Sequence, residues 1–200
     1  YVMPVVASVL LAERMVKAGA DAVIAEGTES GGHVGEMTTL ALVPQMVDAL
    51  DVPVIAAGGI ADGRGMAAAY ALGACGVQVG TCLLASNECP IHDNYKNAVV
   101  KAGDNATVVT GRSANAPVRV LKNKMARQYL LMESKRSERD ELEKLTLGSL
   151  RKAVFDGDID NGSFMSGQIC GLVKEIRPLA DIFADLTEGA EKVIKGLQEV

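Results

Sequence analysis

The sequence predicts an α/β fold: the second half of a TIM (β/α)8 barrel, carrying its last four strands, followed by a C-terminal helical appendage. Three observations predict it. Apolar runs alternate with helical periodicities from Val2 through Thr81, and that alternation is comfortable only in a parallel sheet. Two consecutive runs, Val52 to Ala57 and Gly76 to Val79, end in glycine at the same edge of the sheet. With 200 residues, 48% of them hydrophobic and 22% charged, the chain has material for a substantial core.

The elements follow in order. Val2 to Ala7 is an apolar run with Pro4 near its start. Ser8 is placed to cap a helix whose face carries Leu11, Met15 and Ala18 and which Gly19 ends. Ala22 to Ala25 forms a short strand flanked by Asp21 and Glu26, and the loop Gly27 to Gly35 follows it. Leu42, Val43, Met46, Val47 and Leu50 mark an amphipathic helix, with Pro44 tolerable in its first turn. Val52 to Ala57 reads as a strand buried on both faces, broken at Gly58 and Gly59. Asp62 then caps a helix over Gly63 to Leu72, and Gly76 to Val79 runs into Gly80 and Thr81.

A parallel sheet of four strands has two open edges, whereas a closed barrel has none and needs about 250 residues. The four strands are therefore expected to be the last four, with the N-terminal half lying outside this sequence. A small open sheet with helices on both faces is the competing arrangement. The chain opens on Tyr1 rather than an initiator methionine.

Beyond Ala85 the alternation stops. A short helix is expected over Asn94 to Ala102, and Ala106 to Thr110 is the only later stretch of strand-like composition. Pro117 fits the start of a long helix toward Ser137, with Val120, Leu121, Met125, Leu130 and Leu131 on its apolar side. Leu142 to Phe155 continues helical with an interruption near Gly148. Asp156 to Gly162 is a turn-rich loop that lacks the acidic spacing and closing Glu of a calcium loop. Ser163 to Val173 joins it to a final helix over Leu179 to Leu197. Residues 1–89 are thus expected to form the half barrel, and residues 90–200 a mainly helical segment beside its mouth.

The charge balance, 20 Lys and Arg against 25 Asp and Glu for a net charge of −5, argues against non-specific nucleic-acid binding. Cys75, Cys82, Cys89 and Cys170 show neither CxxC pairing nor zinc spacing, so reduced thiols and a cytoplasmic location are the expectation. No apolar run reaches the length of a membrane span, and no signal peptide opens the chain.

The glycine-ended strands carry the chemistry. A phosphate at the carboxyl edge of parallel strands is held mainly by backbone N–H groups, and a Cβ keeps the main chain away from its oxygens. Gly59 and Gly80 supply such backbone, and Thr81 adds a hydroxyl. A bare turn-and-cap role explains one such pair equally well, but two in consecutive units point to phosphate. The loop Gly27 to Gly35 leaves the same edge, and His33 within it can move a proton near neutral pH. A plain surface histidine is the alternative there. His92, in a polar turn, is read as a solvated loop residue.

Four segments carry a resemblance: AEGTESGGHVG (Ala25 to Gly35), VPVIAAGGIADG (Val52 to Gly63), QVGT (Gln78 to Thr81) and MSGQICGLV (Met165 to Val173). The chain resembles the C-terminal portion of the FMN-dependent enoyl-acyl-carrier-protein reductase II family, in a wider group that includes nitronate monooxygenases. The GGI and VGT endings alone also occur in other phosphate-binding barrels. Coupled to the GGH loop and the tail, they become specific.

The resemblance implies that Gly59, Gly80 and Thr81 hold the FMN phosphate, with Gln78 and Val79 near the same end of the cofactor, and that Gly58 is a further cofactor-binding residue. It implies that Glu26 and Gly31 line the flavin and that His33 is catalytic. The implied reaction reduces a trans-2-enoyl-acyl-carrier-protein thioester with NADH or NADPH in fatty acid synthesis: hydride passes through the flavin to the β-carbon, and Cα takes a proton. The family pattern also admits a monovalent cation and a homodimer. Nitronate monooxygenases resemble AQG where this chain has AEG, so Glu26 and the tail favour the reductase. A nitronate monooxygenase and a non-catalytic phosphate-ligand-binding barrel stay open.

An acyl carrier protein is expected to be acidic and to need a basic face. Arg119, Lys122, Lys124 and Arg127, with Lys135, Arg136 and Arg139, cluster on or near the expected long helix. A solvated helix face explains the cluster nearly as well.

Overall fold

The structure, a computed structural model, describes Tyr1 to Glu199; Val200, the last residue of the expected second segment, lies outside the described residues. The chain divides into two compact units. One comprises Tyr1–Ser30, Val34–Gly80 and the chain from Leu179; the other comprises Gly31–His33 and Thr81–Pro178. The expected boundary after Cys89 is thus displaced to Gly80, and the last helix belongs to the first unit.

In chain order the structure runs β1 (Val5–Val6), α1 (Val9–Lys17), β2 (Val23–Glu26), β3 (Gly32–His33), α2 (Thr39–Ala49), β4 (Val54–Ala57), α3 (Gly63–Ala71) and β5 (Gly76–Gln78). Strands β1, β2, β4 and β5 form one parallel sheet in that spatial order. These are the four strands expected. The caps are the expected ones too: Ser8 Oγ accepts from the Leu11 N–H, and the Asp62 carboxylate accepts from the N–H groups of Arg64 and Gly65. Val23, Leu42, Val43, Met46 and Ala56 are fully buried, so α2 lies over the sheet's most apolar strands. Among the described residues the outer edges of β1 and β5 carry no further strand.

The first unit is completed from far along the chain. Helix α9 (Leu179–Gln198) buries Ile182, Leu186 and Ala190 and packs on α3. Gly63 and Gly189 meet at the crossing, where a Cβ on Gly63 would collide with the main chain of Gly189 and Ala190. Small residues at the crossing bring the two backbones together, a contact that helical periodicity alone does not reveal.

The second unit contains α4 (Thr81–Leu84), α5 (Asp93–Val100), β6 (Thr107–Thr110), β7 (Val118–Leu121), α6 (Lys124–Ser134), α7 (Arg139–Thr146) and α8 (Ser149–Arg151). It is not only helical. Strand β7 pairs antiparallel with β6, from Thr107↔Leu121 to Thr110↔Val118, and with β3 through His33↔Val118. The long helix expected from Pro117 is therefore corrected: Val118 to Leu121 is strand, and α6 starts at Lys124. The β-branched alternation of Val118 and Val120 suits a pleated strand, the turn at Gly111 reverses the chain, and Asn123 begins α6 by accepting from the Ala126 N–H at 2.9 Å. The other helical expectations hold: α5 covers most of Asn94 to Ala102, and the break between α7 and α8 falls at Gly148.

Around that hairpin lie Tyr95, Val99, Val120, Met125, Ala126 and Phe164, all buried. Tyr95 and Phe164 pack edge to face with centroids 4.7 Å apart, and the Tyr95 hydroxyl donates to the Met165 carbonyl at 2.7 Å. Burial raises the pKa of that phenol far above its ordinary value. In the Asp156 to Gly162 loop, the Asp158 carboxylate accepts from Asn161 and from the Asp160 N–H, so local donors engage it.

Candidate active site

The last paired residues of β4 and β5 are Ala57 and Gln78, so the segments Gly58–Gly59 and Val79–Gly80 leave the sheet side by side. Gly58 and Gly59 both adopt left-handed backbone, with φ of 90° and 75°. A Cβ on Gly58 would stand 2.8 Å from the Gly27 carbonyl oxygen, so its glycine serves the approach of the β2 and β4 tips. Gly80 differs. Nothing lies within 4 Å of where its Cβ would stand. Bare main chain beside open space at Gly80 suits a phosphate, whereas at Gly59 the Glu29 carboxylate stands 3.4 Å from where a Cβ would be. Glu26 ends β2 half-buried, Gln78 is exposed, and Val79 is half-buried.

A residue that the motif reading missed stands in the same unit. The Glu29 carboxylate accepts from the Thr39 N–H at 3.0 and 3.1 Å and from its hydroxyl at 3.0 Å. It thereby neutralises the positive end of α2. Glu29 and Thr39 line a cavity of about 150 Å³ with Gly58, Gly59 and Ile60. Only tertiary structure pairs Glu29 with a helix start ten residues later. In the same loop the Ser30 hydroxyl oxygen is buried without a hydrogen-bond partner among the described residues, as a loop that receives a polar ligand would have it.

The second unit carries the other predicted residues. Thr81 opens α4, is buried, and accepts a hydrogen bond from the Gly167 N–H at 2.8 Å. His33 does not sit in a free loop: it is an exposed residue of β3, held in register with Val118. Nearby, Gly31 packs on the main chain of Ser166, where a Cβ would stand 2.7 Å from the carbonyl carbon. Close main-chain packing therefore accounts for glycine at position 31, in addition to any ligand. His33 lines a cavity of about 300 Å³ whose walls include Tyr129, Arg139, Glu143, Ser149 and Met165. Tyr129 is a second residue that sequence reading left unmarked.

His92 is an exposed residue outside the helices, as expected, and it also caps α5, its Nδ1 accepting from the Asn94 N–H at 3.0 Å. Arg119 leaves the basic face: it is only 6% exposed, on β7, and its guanidinium donates to Thr107 Oγ1 at 3.1 Å. Lys122, Lys124 and Arg127 remain exposed. Burial pushes the thiols of Cys82 and Cys170 above the ordinary cysteine value, which disfavours thiolate chemistry at either. Among the described residues no group of His, Cys, Asp and Glu is placed to hold a metal ion, and no helix is long and apolar enough to cross a membrane.

The flanking helices, parallel strands and paired strand tips define a protein of the (β/α)8-barrel class with its candidate site at the carboxyl edge of the sheet. The match to a family model is equally extensive, covering residues 1–189. The chain belongs to the nitronate monooxygenase family. Among solved structures it is similar to FabK from Thermotoga maritima, at 50% identity and a TM-score of 0.95 over 98% of this chain and 63% of that one. Among curated proteins it is 35% identical, over 92% of its length, to a probable nitronate monooxygenase of Staphylococcus saprophyticus. It is also 43% identical, over 60% of its length, to a carboxyl-CoA dehydrogenase of Rhodococcus jostii, (3aS,4S,5R,7aS)-5-hydroxy-7a-methyl-1-oxo-octahydro-1H-indene-4-carboxyl-CoA dehydrogenase. The chain spans 52% and 34% of these two curated relatives.

Proposed function

We propose that this chain belongs to an FMN-dependent enoyl-acyl-carrier-protein reductase that uses NADH or NADPH. The observation that carries the flavin assignment is the pair of bare strand tips, Gly58–Gly59 beside Val79–Gly80, with open space at Gly80. The higher identity to FabK, an enoyl-acyl-carrier-protein reductase II, supports the reductase over the monooxygenase, as does Glu26.

The main-chain N–H groups at Gly59 and Gly80 bind the phosphate, and the Thr81 hydroxyl, which accepts from Gly167, keeps its proton free to donate to it. Glu26, Gln78 and Val79 contact the cofactor from the β2 and β5 ends. When bound, FMN supplies the transfer of hydride from the nicotinamide to the β-carbon of the enoyl thioester. His33 hydrogen-bonds the thioester end or delivers the proton that Cα takes. Lys122, Lys124 and Arg127 receive the acidic carrier protein.

The second reading, nitronate monooxygenase, is favoured by the family match and the Staphylococcus relative. There His33 acts as base toward a nitroalkane. One pair of assays separates the two: anaerobic NADH or NADPH oxidation dependent on a crotonyl thioester supports the reductase, and oxygen uptake with ethyl nitronate supports the monooxygenase. A colourless protein that takes up no FMN overturns both.

A further inference from the structure

The 300 Å³ cavity of the second unit holds an unassigned polar group. Tyr129, on α6, lines it, is 6% exposed, and makes no hydrogen bond through its hydroxyl among the described residues. The ring is buried while the hydroxyl is not sealed off, so its proton is free to donate to a ligand or to water. The remaining walls narrow the ligand. Val118, Met125, Leu150 and Met165 are apolar, and His33 lines the same space. The Arg139 guanidinium in the wall donates its Nε–H to Glu143 Oε1 at 3.0 Å, so the two together bring no net charge to the cavity.

These features fit a neutral, largely apolar ligand with an acceptor oxygen. We propose that the cavity is the acyl-thioester pocket and that Tyr129 is its hydrogen-bond donor, binding an oxygen of the thioester. The inference rests on the reductase reading above and deepens it by naming the residue that recognises the substrate. The phenol stays protonated for this role, because burial first, and then the carboxylates of Glu133 and Glu143, raise its pKa.

The test is calorimetric binding of butyryl-pantetheine, a saturated thioester that cannot be reduced, to the FMN-loaded protein. Wild type binds it. Tyr129→Phe binds it about tenfold more weakly, the loss expected for one hydrogen bond. Ala114→Phe, which fills the cavity from the half-buried hairpin turn, weakens binding at least as much and does not depend on the phenol. Both variants retain the flavin spectrum and its bleaching by the nicotinamide. With crotonyl-pantetheine, Tyr129→Phe raises KM about tenfold and leaves kcat near wild type. No binding by wild type, or affinity equal to wild type in either variant, overturns the proposal. If butyryl-pantetheine binds as expected but no enoyl thioester is reduced, the reductase reading fails while the pocket and its donor stand.

Discussion

The hydroxyl oxygen of Thr81 accepts a hydrogen bond from the main-chain N–H of Gly167, 2.8 Å away across a separation of 86 residues. The MSGQICG segment is thereby fastened to the residue that follows the β5 tip. Replacing Thr81 with Val strips the acceptor from a buried donor, so the protein should lose about 1–3 kcal/mol of stability, while Thr81→Ser keeps most of it. Urea midpoints at an unchanged m-value measure the difference.

Glycines at neighbouring strand tips separate structure from binding. Gly58→Ala places a Cβ 2.8 Å from the Gly27 carbonyl in left-handed backbone, so it should destabilise by about 1–3 kcal/mol. Gly80→Ala meets no neighbour within 4 Å, so its stability should change by less than about 0.5 kcal/mol. The same Gly80→Ala change should weaken FMN binding about tenfold or more, read by flavin fluorescence on dilution.

His33→Ala should leave FMN bound and its reduction by the nicotinamide intact. Enoyl reduction should fall about 10²- to 10⁴-fold, the range for loss of a positioned proton donor. Unchanged turnover would remove His33 from the mechanism.

Asp62 gives the pH prediction. Its hydrogen bond with Arg64 holds the carboxyl below the ordinary value of 3.8. Because the native pKa is depressed, its stabilising contribution is complete above the unfolded value and is lost as pH falls through the native one. Acid titration of wild type should therefore show a loss of stability below about pH 4 that Asp62→Ala lacks. At neutral pH the variant should be less stable by about 0.5–2 kcal/mol, the usual cost of an N-cap.

Charge reversal at Lys122 and Lys124 should raise KM for a carrier-bound enoyl substrate and leave KM for the coenzyme A thioester unchanged. Equal changes for both substrates would exclude this face as the docking area.

The first unit was largely legible because its signals are local. The Val52 to Ala57 run, the Asp62 cap and the glycine breaks each act within a few residues, and they recur where expected in β4, α3 and the tips. The Val118 to Leu121 stretch is not legible in the sequence because its apolar spacing suits a helix face as well as a strand, and only pairing with Thr107 to Thr110 decides between them. Arg119 lies in that strand and is buried with it, so it is absent from the basic face. Glu29 and Tyr129 left no trace in motif or spacing, since a carboxylate on a distant helix start and a phenol in a cavity wall are products of tertiary packing.

The meeting of Gly63 with Gly189 has a consequence for biosynthesis. A nascent chain completes all four parallel strands long before the ribosome delivers the helix that seals α3. Through that interval the small-residue groove on α3 is bare and open to mispairing, so a chaperone-dependent yield that improves when α9 is supplied in trans is the expected signature.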